Sequence, residues 1–390
     1  MLILHDETTL LHDTVELLGA KLIPAQESPA RIKAIVDAVK HSGNHELRTI
    51  SASEEDQKTT IALAKANHKP EYIEHIQNVF SQWLKEGLVE AHESVLPECF
   101  RLQNVANAKL RPPKDIYARA GYYAFDMSTG ISKNSWQSIV ASANLAVQAA
   151  LLMAEAPTNS KNPFQQNSPK LKSVLALCRP PGHHCTGSQA GGYCYLNNIA
   201  ITITTFRQFT HSRRLRRPSN PNFASVSTLK FAILDLDFHH GNGTQEQFYM
   251  DPTVFYTSIH GQDEFPYYTG AASEQGPSSS PAFGTNLNLP LKTGSSFEEY
   301  LAKLHIALSA IQQFGADHLL VSLGFDTFHT DPLGKFQIET QDYKVMAKTV
   351  RAMLKNLPAV ILLEGGYVVG RLGENLLSFL AGWEEAEGAS

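Results

Sequence analysis

The sequence predicts an α/β fold in which a mainly parallel sheet is covered by helices on both faces. Short apolar runs alternate along the chain with longer segments of helical periodicity, and this alternation favours strand-helix-strand units. Four of the apolar runs break abruptly into glycine and polar residues, as expected where a buried parallel strand leaves its sheet. With 43% hydrophobic content, 390 residues can bury one large core, and we interpret 1–390 as a single domain.

The predicted elements follow one another in this alternating order. Residues 1–7 become charged too soon for the core of a signal peptide and are expected to form the first strand. Further apolar runs favour strands, and segments with apolar residues three or four positions apart favour helices. The strands are expected at 173–178, 229–236, 253–258, 284–289, 318–323 and 359–363, and the helices at 29–41, 71–88, 135–154, 297–314, 340–357 and 372–383.

The strand expected at 229–236 ends in carboxylates and imidazoles. Because side chains alternate between the faces of a strand, Asp235, Asp237 and His239 should project from one side of it. Two carboxylates and an imidazole that converge need protons or a cation between them, and a divalent metal is the simplest solution. Each residue alone is better explained as a turn cap or a core histidine, whereas all three at a period of two favour a metal site.

The strand expected at 173–178 leads into Arg179-Pro-Pro-Gly-His-His184. Two prolines and a glycine stop both a helix and a central strand, so His183 and His184 should lie on a rigid, sharply turned loop. Fixed imidazoles suit proton transfer. A surface pair without a role is the alternative, and it is weakened because ligands of open α/β sheets bind beyond the carboxyl ends of strands.

Two later strand ends complete the pattern. The run 318–323 is followed by Gly324-Phe-Asp326, and the run 359–363 by Glu364-Gly-Gly-Tyr367. Asp326 is a candidate third metal ligand, and two glycines let the last loop bend so that Tyr367 can hydrogen-bond a substrate oxygen. Singly, each is an ordinary turn. Together the four strand ends offer the side chains of a metal-dependent hydrolase with one open coordination position.

These motifs resemble those of the arginase-deacetylase superfamily, and most of all the bacterial acetylpolyamine amidohydrolases, which are relatives of the zinc-dependent histone deacetylases. The resemblance extends over nearly the whole chain, from 11–20 to the Glu-Gly-Gly-Tyr motif at 364–367. It implies a three-layer sandwich around an eight-stranded, mainly parallel sheet. It also implies removal of acetyl groups from acetylpolyamines or acetyl-lysine, with a class II type deacetylase of protein lysines as the alternative.

Carried over position by position, the resemblance implies that Asp237, His239 and Asp326 bind Zn²⁺, although Fe²⁺ also suits these ligands. It implies that His183 and His184 hold and deprotonate a water molecule. We expect His184 to be the base and His183 to act mainly through its charge. The Tyr367 hydroxyl is expected to polarise the amide carbonyl and to stabilise the oxyanion that follows.

The neighbouring residues have implied roles of their own. Asp235 would accept a hydrogen bond from His183. Asn242 would orient His184 without adding a second negative charge, and it stands where many class I histone deacetylases carry aspartate. The family also binds a monovalent cation, usually K⁺, beside the zinc, and Asp235 with the hydroxyl of Ser258 matches that site.

The resemblance places two aromatic residues, Tyr193 and Phe265, on the walls of a substrate channel. Aromatic walls select a slender alkyl chain, and Gly192 lets the backbone approach a ligand closely. Ordinary packing is the alternative for both rings.

One departure puts a preference for polyamines in doubt. The acidic pair that recognises the cationic tail in the polyamine enzymes is matched here by Tyr117 and Ser128. The candidates for the missing negative charge are Asp126, Glu98 and Asp263.

Composition excludes several other classes. Against 38 acidic residues there are 33 lysines and arginines, a net charge of -5, which argues against binding of nucleic acid or anionic membranes. No apolar run approaches the ~20 residues of a membrane span. The 4 cysteines lack a Cys-x-x-Cys spacing and indicate neither a disulfide framework nor a thiolate zinc site. We therefore expect a cytoplasmic protein, with nuclear targeting by the basic run 213–217 as the alternative.

Two regions are expected to vary around this core. In the amidohydrolases the loop that corresponds to 95–134 reaches across a dimer interface, which is compatible with a homodimer here. Region 207–225 resembles a surface insertion. Two other functions stay open: an arginase-like ureohydrolase with two manganese ions, which needs further carboxylates, and a non-catalytic binder of acetylated ligands.

Overall fold

The computed structural model describes residues 1–101, 111–155, 171–216 and 229–388. Its strands are β1 (Leu2–His5), β2 (Val15–Leu18), β3 (Lys21–Pro24), β4 (Glu46–Thr49), β5 (Ser173–Ala176), β6 (Phe231–Asp235), β7 (Val254–Gly261), β8 (Asn286–Leu291), β9 (His318–Leu323) and β10 (Ala359–Leu363). Its helices are α1 (Pro29–Ser42), α2 (Glu54–Asn67), α3 (Pro70–Lys85), α4 (Ile116–Tyr122), α5 (Ser135–Glu155), α6 (Asn198–Arg216), α7 (Asn242–Phe248), α8 (Phe297–Phe314), α9 (Thr340–Met353) and α10 (Val369–Gly388), with a 3₁₀ helix at Glu7–Leu11.

Eight of the strands form one sheet in the order β4-β1-β5-β10-β9-β6-β7-β8. Every pairing within it is parallel, while β2 and β3 form a separate antiparallel hairpin. The predicted fold class, a mainly parallel eight-stranded sheet covered by helices, is therefore confirmed.

Alternate residues of each strand enter two different apolar cores. On β6, Ala232 and Leu234 pack with residues of α1, α8, α9 and α10, whereas Phe231 and Ile233 pack with residues of α5 and α6. All four side chains are fully buried. Burial on both faces explains why the central strands are near-continuous apolar runs in the sequence.

The sheet brings the polar strand ends together. Strands β5, β10, β9 and β6 are consecutive neighbours, and they are the four strands whose ends carry the candidate site residues. Because parallel strands all end at the same edge of a sheet, residues far apart in the sequence converge on one crevice.

Several elements escaped the sequence analysis. The hairpin of β2 and β3, the edge strand β4, and helices α2, α4, α6 and α7 were not predicted. Strand β4 is exposed and charged, so it lacks the apolar run that marks the central strands. Helix α6 is apolar at its start and basic at its end, and its apolar residues show no helical periodicity.

The expectation that no apolar segment is long enough to span a membrane does not hold for helix α5. By length and hydropathy, its segment Ser135–Ala154 is able to cross a membrane, but 72% of that segment is buried inside the protein. A core helix of a globular protein gives the same pattern, and α5 packs against the sheet together with α6.

Parts of the two regions that were expected to vary lie outside the described residues. Within 95–134 these are residues 102–110, and within 207–225 they are 217–225. Residues 207–216 belong to α6. The dimer contact and the insertion stay predictions.

Candidate metal centre and active site

Three buried side chains at the ends of β6 and β9 converge. Asp237, His239 and Asp326 each offer a ligand atom within 4.8 Å of the other two. The Nδ1 atom of His239 lies 2.8 Å from Asp326 Oδ2 and 3.3 Å from Asp237 Oδ1. The structure thus brings together the three residues that the sequence singled out as metal ligands.

Backbone groups orient both carboxylates. Gly365 donates its N–H to Asp237 Oδ2 at 2.9 Å, and Phe238 donates its N–H to Asp326 Oδ1 at 2.8 Å. The remaining oxygens, Asp237 Oδ1 and Asp326 Oδ2, face His239 Nδ1. A Cβ atom on Gly365 would lie 2.6 Å from Asp326 Oδ2, so the loop after β10 can come this close to the site only because the residue is glycine.

The electrostatics of this triad fit a cation. Burial disfavours a charged imidazole, but the bonds to Asp237 and Asp326 outweigh it and raise the pKa of His239 to about 10. Burial and the charge of Asp237 raise the pKa of Asp326 to about 8. Without a metal, the triad therefore retains a proton at neutral pH. A divalent ion replaces that proton, and two carboxylates with one imidazole are a donor set that suits zinc.

The two adjacent histidines after β5 lie beside this triad in unlike surroundings. Their ring centroids are 4.0 Å apart. His183 Nδ1 lies 3.2 Å from Asp235 Oδ2 and its Nε2 lies 3.7 Å from Asp237 Oδ1. His184 Nδ1 donates to the amide oxygen of Asn242 at 2.8 Å, which leaves its Nε2 free to accept a proton.

These surroundings shift the two pKa values in opposite directions. Burial lowers the pKa of His183, but Asp237 and Asp235 outweigh it and raise the value to about 10. Burial and the charge of His183 hold the pKa of His184 well below its usual value. One imidazole is thus charged and the other neutral, which is the arrangement expected where one base and one electrostatic partner act together.

Tyr367 lies on the loop that follows β10 and is almost fully buried. Its N–H donates to Asp331 Oδ2 at 2.7 Å, and the Arg31 guanidinium lies 5.1 Å from its ring centroid. The preceding Gly366 has a φ of 116°, a conformation that favours glycine. Burial raises the pKa of Tyr367 well above its usual value, so its hydroxyl stays protonated and available as a donor.

The predicted channel residues occupy different sides of the histidine pair. The Phe265 ring lies 5.0 Å from the His184 ring and 5.9 Å from the His239 ring. Tyr193 packs against Tyr367 with centroids 5.7 Å apart. Gly192 has a φ of 54°, and a Cβ atom there would lie 2.2 Å from His184 Cδ2. Any side chain at this position would therefore displace the proposed base.

Two polar or aromatic residues near the channel were missed. Glu16 of the hairpin is buried and accepts the Tyr193 hydroxyl at 2.8 Å. Phe125 stacks on Phe265 with centroids 6.0 Å apart. Glu16 lies within the segment 11–20 that contributes to the resemblance but was given no role there, and Phe125 precedes Asp126, which the sequence had already marked.

A buried cluster of charges behind the Tyr367 loop was missed as well. Glu27 Oε1 accepts hydrogen bonds from Arg31 at 2.7 Å and from Arg179 at 2.9 Å. Arg31 also donates to the main-chain oxygens of Glu364 and Gly366 at 2.5 and 2.6 Å. A signal was present, since Arg31 precedes Ile35 and Val39 on the apolar face of α1 and lies four residues after Glu27.

The predicted cation ligands are neighbours in the sheet. Asp235 and Ser258 are paired across β6 and β7, and both are fully buried. The Ser258 hydroxyl donates to His260 Nδ1 at 2.9 Å, because His260 Nε2 donates to the Gly270 carbonyl at 3.0 Å. The lone pairs of the Ser258 oxygen therefore remain available to a cation.

The acidic candidates for a cationic tail differ in position. Asp126 is engaged with the Gly192 N–H and the Thr129 hydroxyl. Ser128 also bonds to Asp126 through its N–H. The ring of Tyr117 stacks on Trp83, away from the metal triad. Glu98 and Asp263 are exposed.

Comparison with known proteins gives one consistent result. A family model described as the histone deacetylase domain matches residues 25–383. The chain is 34% identical to acetylpolyamine amidohydrolase 2 of Pseudomonas aeruginosa over 97% of both chains. It is 32% identical to acetylpolyamine amidohydrolase of Mycoplana ramosa over 97% of this chain and 98% of the relative.

A solved structure agrees. The crystal structure of acetylpolyamine aminohydrolase from Burkholderia pseudomallei superimposes with a TM-score of 0.81 at 28% identity, covering 99% of each chain. The sequence motifs, the sheet topology and the family match coincide, and the chain belongs to the histone deacetylase domain family.

Proposed function

We propose that the protein is a zinc-dependent amidohydrolase that removes acetyl groups from N-acetylated amines. The observation that carries this proposal is the buried triad of Asp237, His239 and Asp326 beside two adjacent histidines, of which His183 faces Asp235 and His184 faces Asn242. The amidohydrolases to which the chain is similar over its full length support the same reaction class.

Zinc held by this triad supplies Lewis acidity toward the amide carbonyl and toward the attacking water. The protein supplies the proton transfers. His184 is neutral and its Nε2 carries a lone pair, so it accepts a proton from the water as the bond to the carbonyl carbon forms. The same nitrogen then returns the proton to the leaving amine.

Three groups stabilise the charge that develops. The Tyr367 hydroxyl donates a hydrogen bond to the carbonyl oxygen, and this bond strengthens as the oxygen becomes anionic. His183, which lies beside the carboxylates of Asp235 and Asp237, is proposed to act through its charge. Asp235 keeps His183 charged and oriented through their 3.2 Å contact. Phe265 and Tyr193 with Gly192 confine the substrate to a slender acetylated chain.

A monovalent cation, K⁺, is proposed at Asp235 and Ser258. Asp235 already shares a buried region with Asp237, and a cation there would favour the ionised form of both carboxylates. Iron(II) in place of zinc remains compatible with the same ligands.

The geometry does not support the two-manganese alternative. Among the described residues, the second group able to hold a metal is His183, Cys194 and Glu364. Both oxygens of Glu364 are engaged, one by the N–H groups of Gly182 and His183 and the other by the Ser322 hydroxyl. This carboxylate anchors the histidine loop to the sheet.

The assembly and location of the protein are proposed from the resemblance to the amidohydrolases. We propose a homodimer in which region 95–134 contributes to the interface, and a cytoplasmic location. Sedimentation of the purified protein at several concentrations tests the first, because a monomer at all concentrations would exclude it.

The experiment for the reaction is acetate release from acetylputrescine, acetylspermidine and an acetyl-lysine peptide by zinc-loaded protein. His184→Ala and Tyr367→Phe should each lower turnover by roughly two or more decades while the zinc content stays the same. Turnover at the wild-type rate in both variants would exclude the mechanism. A preference for the peptide over both polyamines would assign the protein to the lysine deacetylases instead.

A further inference from the structure

A buried amide in α7, the side chain of Gln245, lies at the centre of a polar network beside the metal triad. Its Oε1 atom lies 3.0 Å from His240 Nε2, 3.0 Å from Asn286 Nδ2 and 2.8 Å from Asn288 Nδ2. Its Nε2 atom donates to Glu274 Oε2 at 2.5 Å. We refer to these five residues as the Gln245 network, and the proposed proton transfers give it no task.

The contacts of Gln245 fix the direction of its amide. A carboxylate only accepts hydrogen bonds, so the amide nitrogen has to face Glu274. The amide oxygen is then the atom that meets His240, whose Nδ1 lies 2.8 Å from the Thr269 hydroxyl on its other side. The acid and the amide are therefore a matched pair, and their roles can be reversed only if both residues are exchanged.

Glu274 connects this pair to the loop that follows β7. Its Oε2 atom also accepts the Gly270 N–H at 3.0 Å, and its Oε1 atom accepts the Ala271 N–H at 3.2 Å. The carbonyl oxygens of the same two residues accept from His260 Nε2 at 3.0 Å and from Asn288 Nδ2 at 3.2 Å. Side chains of β7 and β8 and the Gln245 network thus hold this part of the loop together.

The loop held in this way carries one proposed wall of the substrate channel. The Phe265 ring lies 5.0 Å from the His184 ring and 5.9 Å from the His239 ring. Between Phe265 and the anchored part of the loop, Tyr267 and Tyr268 are mostly exposed. Because this stretch is held little by packing, the place of Phe265 depends on the anchors on either side of it.

The anchor on the other side of Phe265 is of a different kind. Both carboxylate oxygens of Glu264 lie 2.8 Å from Lys335 Nζ, and the Lys335 side chain is exposed over 52% of its surface. Exposed ion pairs contribute little to stability, because solvent screens them and two long side chains must be ordered. A buried network is costly to break, because its polar groups lose their partners away from water. The Gln245 network is therefore the stronger anchor.

Helix α7 connects the same network to the proposed base. Asn242 begins this helix and accepts His184 Nδ1 at 2.8 Å. Thr244 donates its N–H to the His183 carbonyl at 3.0 Å. Gln245 follows directly in the helix, so the side chain that holds the channel wall belongs to the element that holds the histidine pair.

We propose that Gln245 is a positioning residue that holds α7 and the loop after β7 in one arrangement, so that Phe265 stays beside His184. It acts through Glu274 and His240 rather than on the reacting atoms. This inference rests on the proposed function and deepens it, because it assigns the selection of unbranched amines to a wall whose place is set by a buried amide.

The first test exchanges the matched pair. Gln245→Glu sets a second carboxylate against Glu274 and removes the donor between them. The double variant Gln245→Glu/Glu274→Gln restores one acid and one amide with their roles reversed. Hydrogen exchange in the segment 266–274 of the full-length protein, followed by mass spectrometry, reports how often this part of the loop opens. Exchange should be about tenfold or more faster in Gln245→Glu and should return to within about threefold of wild type in the double variant.

Gln247→Glu is the matched control, because it makes the same change on the same helix. Gln247 Nε2 has no hydrogen-bond partner in the part of the chain that the structure describes, and exchange in 266–274 should stay within about twofold of wild type. Equal acceleration in the two single variants would show an effect of charge on α7 and would overturn the proposal. Failure of the double variant to recover would overturn it too. If Gln245→Glu does not fold, the uncharged Gln245→Met should show the same acceleration.

The second test measures selectivity with two isomeric amides in zinc-loaded protein. N-butylacetamide is unbranched, and N-sec-butylacetamide is branched at the carbon next to nitrogen. Gln245→Glu should lower the ratio of their kcat/KM values, unbranched over branched, by about threefold to tenfold, because the displaced wall no longer excludes the branch. The double variant should restore the ratio. A merely structural role would lower both kcat/KM values equally, so an unchanged ratio would overturn the inference.

The two tests separate this inference from the proposed function. If neither amide is turned over by any of the proteins, the proposed reaction fails, and the hydrogen exchange alone decides whether Gln245 holds the loop. If both amides are turned over and only the ratio stays unchanged, the reaction stands and the role of Gln245 falls.

Discussion

Two clusters of buried charge lie at the same edge of the sheet and differ in the source of their counter-charge. In the first, Glu27 is flanked by Arg31 and Arg179. In the second, Asp237 and Asp326 face His239, and Asp237 also lies 3.7 Å from His183. The carboxylate of the first cluster therefore has two permanently charged partners, whereas the carboxyl groups of the second have only imidazoles, and Asp326 has a raised pKa.

The difference distinguishes a scaffold from a site. Although burial raises the pKa of Glu27, Arg179 and Arg31 outweigh it and lower the value below its usual range, so this carboxylate remains ionised without help. The pKa of Asp326 is raised to about 8, so at neutral pH this carboxyl group retains a proton until a cation arrives. Removal of one partner from a buried ion pair is strongly destabilising, whereas buried carboxyl groups with raised pKa values that lie together in a crevice mark a candidate ligand site.

The largest expected effect comes from the second cluster, formed by Asp237, His239 and Asp326, which we call the open cluster. Asp326→Asn removes a metal ligand, and we expect zinc content and acetate release to be lost together. The free energy of unfolding of the metal-free protein should change far less than it does on disruption of the Glu27 cluster. Metal analysis with urea unfolding of the metal-free protein measures both. Full zinc content in this variant would contradict the assignment of the site.

Disruption of the Glu27 cluster should lower stability and leave the zinc content unchanged. Glu27→Gln leaves two buried guanidinium groups without a counter-charge, and such a loss lowers the free energy of unfolding by about 3–5 kcal/mol. Zinc content should be unchanged, because Glu27 does not contact the triad. Urea unfolding beside the exposed control Glu55→Gln gives the difference, and a loss below 1 kcal/mol would show that the cluster is not a scaffold.

The smallest expected effect is a dependence of stability on pH, which arises from His12 beside the Glu27 cluster. The main-chain oxygen of His12 accepts a hydrogen bond from Arg179 Nη2. Burial and the charge of Arg179 lower the pKa of His12 to about 3. The unfolded chain binds this proton near pH 6.5, so stability is full above pH 6.5 and is lost as the pH falls toward 3. His12→Asn should flatten this slope, which reaches at most about 1.4 kcal/mol per pH unit for one group.

Urea unfolding between pH 7 and pH 4 measures that slope. Several other histidines with a lowered pKa, among them His68, His75 and His260, contribute in the same direction, so His12→Asn should reduce the slope without abolishing it. An identical slope in wild type and variant would mean that His12 is protonated in the folded protein.

The two clusters also show what the sequence can predict. The open cluster was found because its members follow apolar runs directly, so local patterns located Asp237, His239 and Asp326 together with His183 and His184. The contact between neighbouring strand ends then follows from parallel topology.

The Glu27 cluster was missed, although the spacing of Glu27 and Arg31 gave a local signal, because its further contacts are distant in sequence. Arg31 contacts main-chain oxygens more than 330 positions later in the chain, and no local pattern reports such a contact. An arginine in a helix is usually exposed. Glu16 was missed for a similar reason, because its hairpin of two short strands has mostly exposed residues and no apolar run.

The division between strand ends and loops has an evolutionary consequence. The proposed reacting groups follow strands whose spacing the sheet fixes, whereas Asp263, Tyr267 and Tyr268 lie on the loop after β7, which hydrogen bonds to His240 and His260 anchor. We therefore expect the exposed part of this loop to tolerate mutation without displacement of the residues at the strand ends. Proteins that share this sheet can differ in substrate specificity while they retain the same reaction.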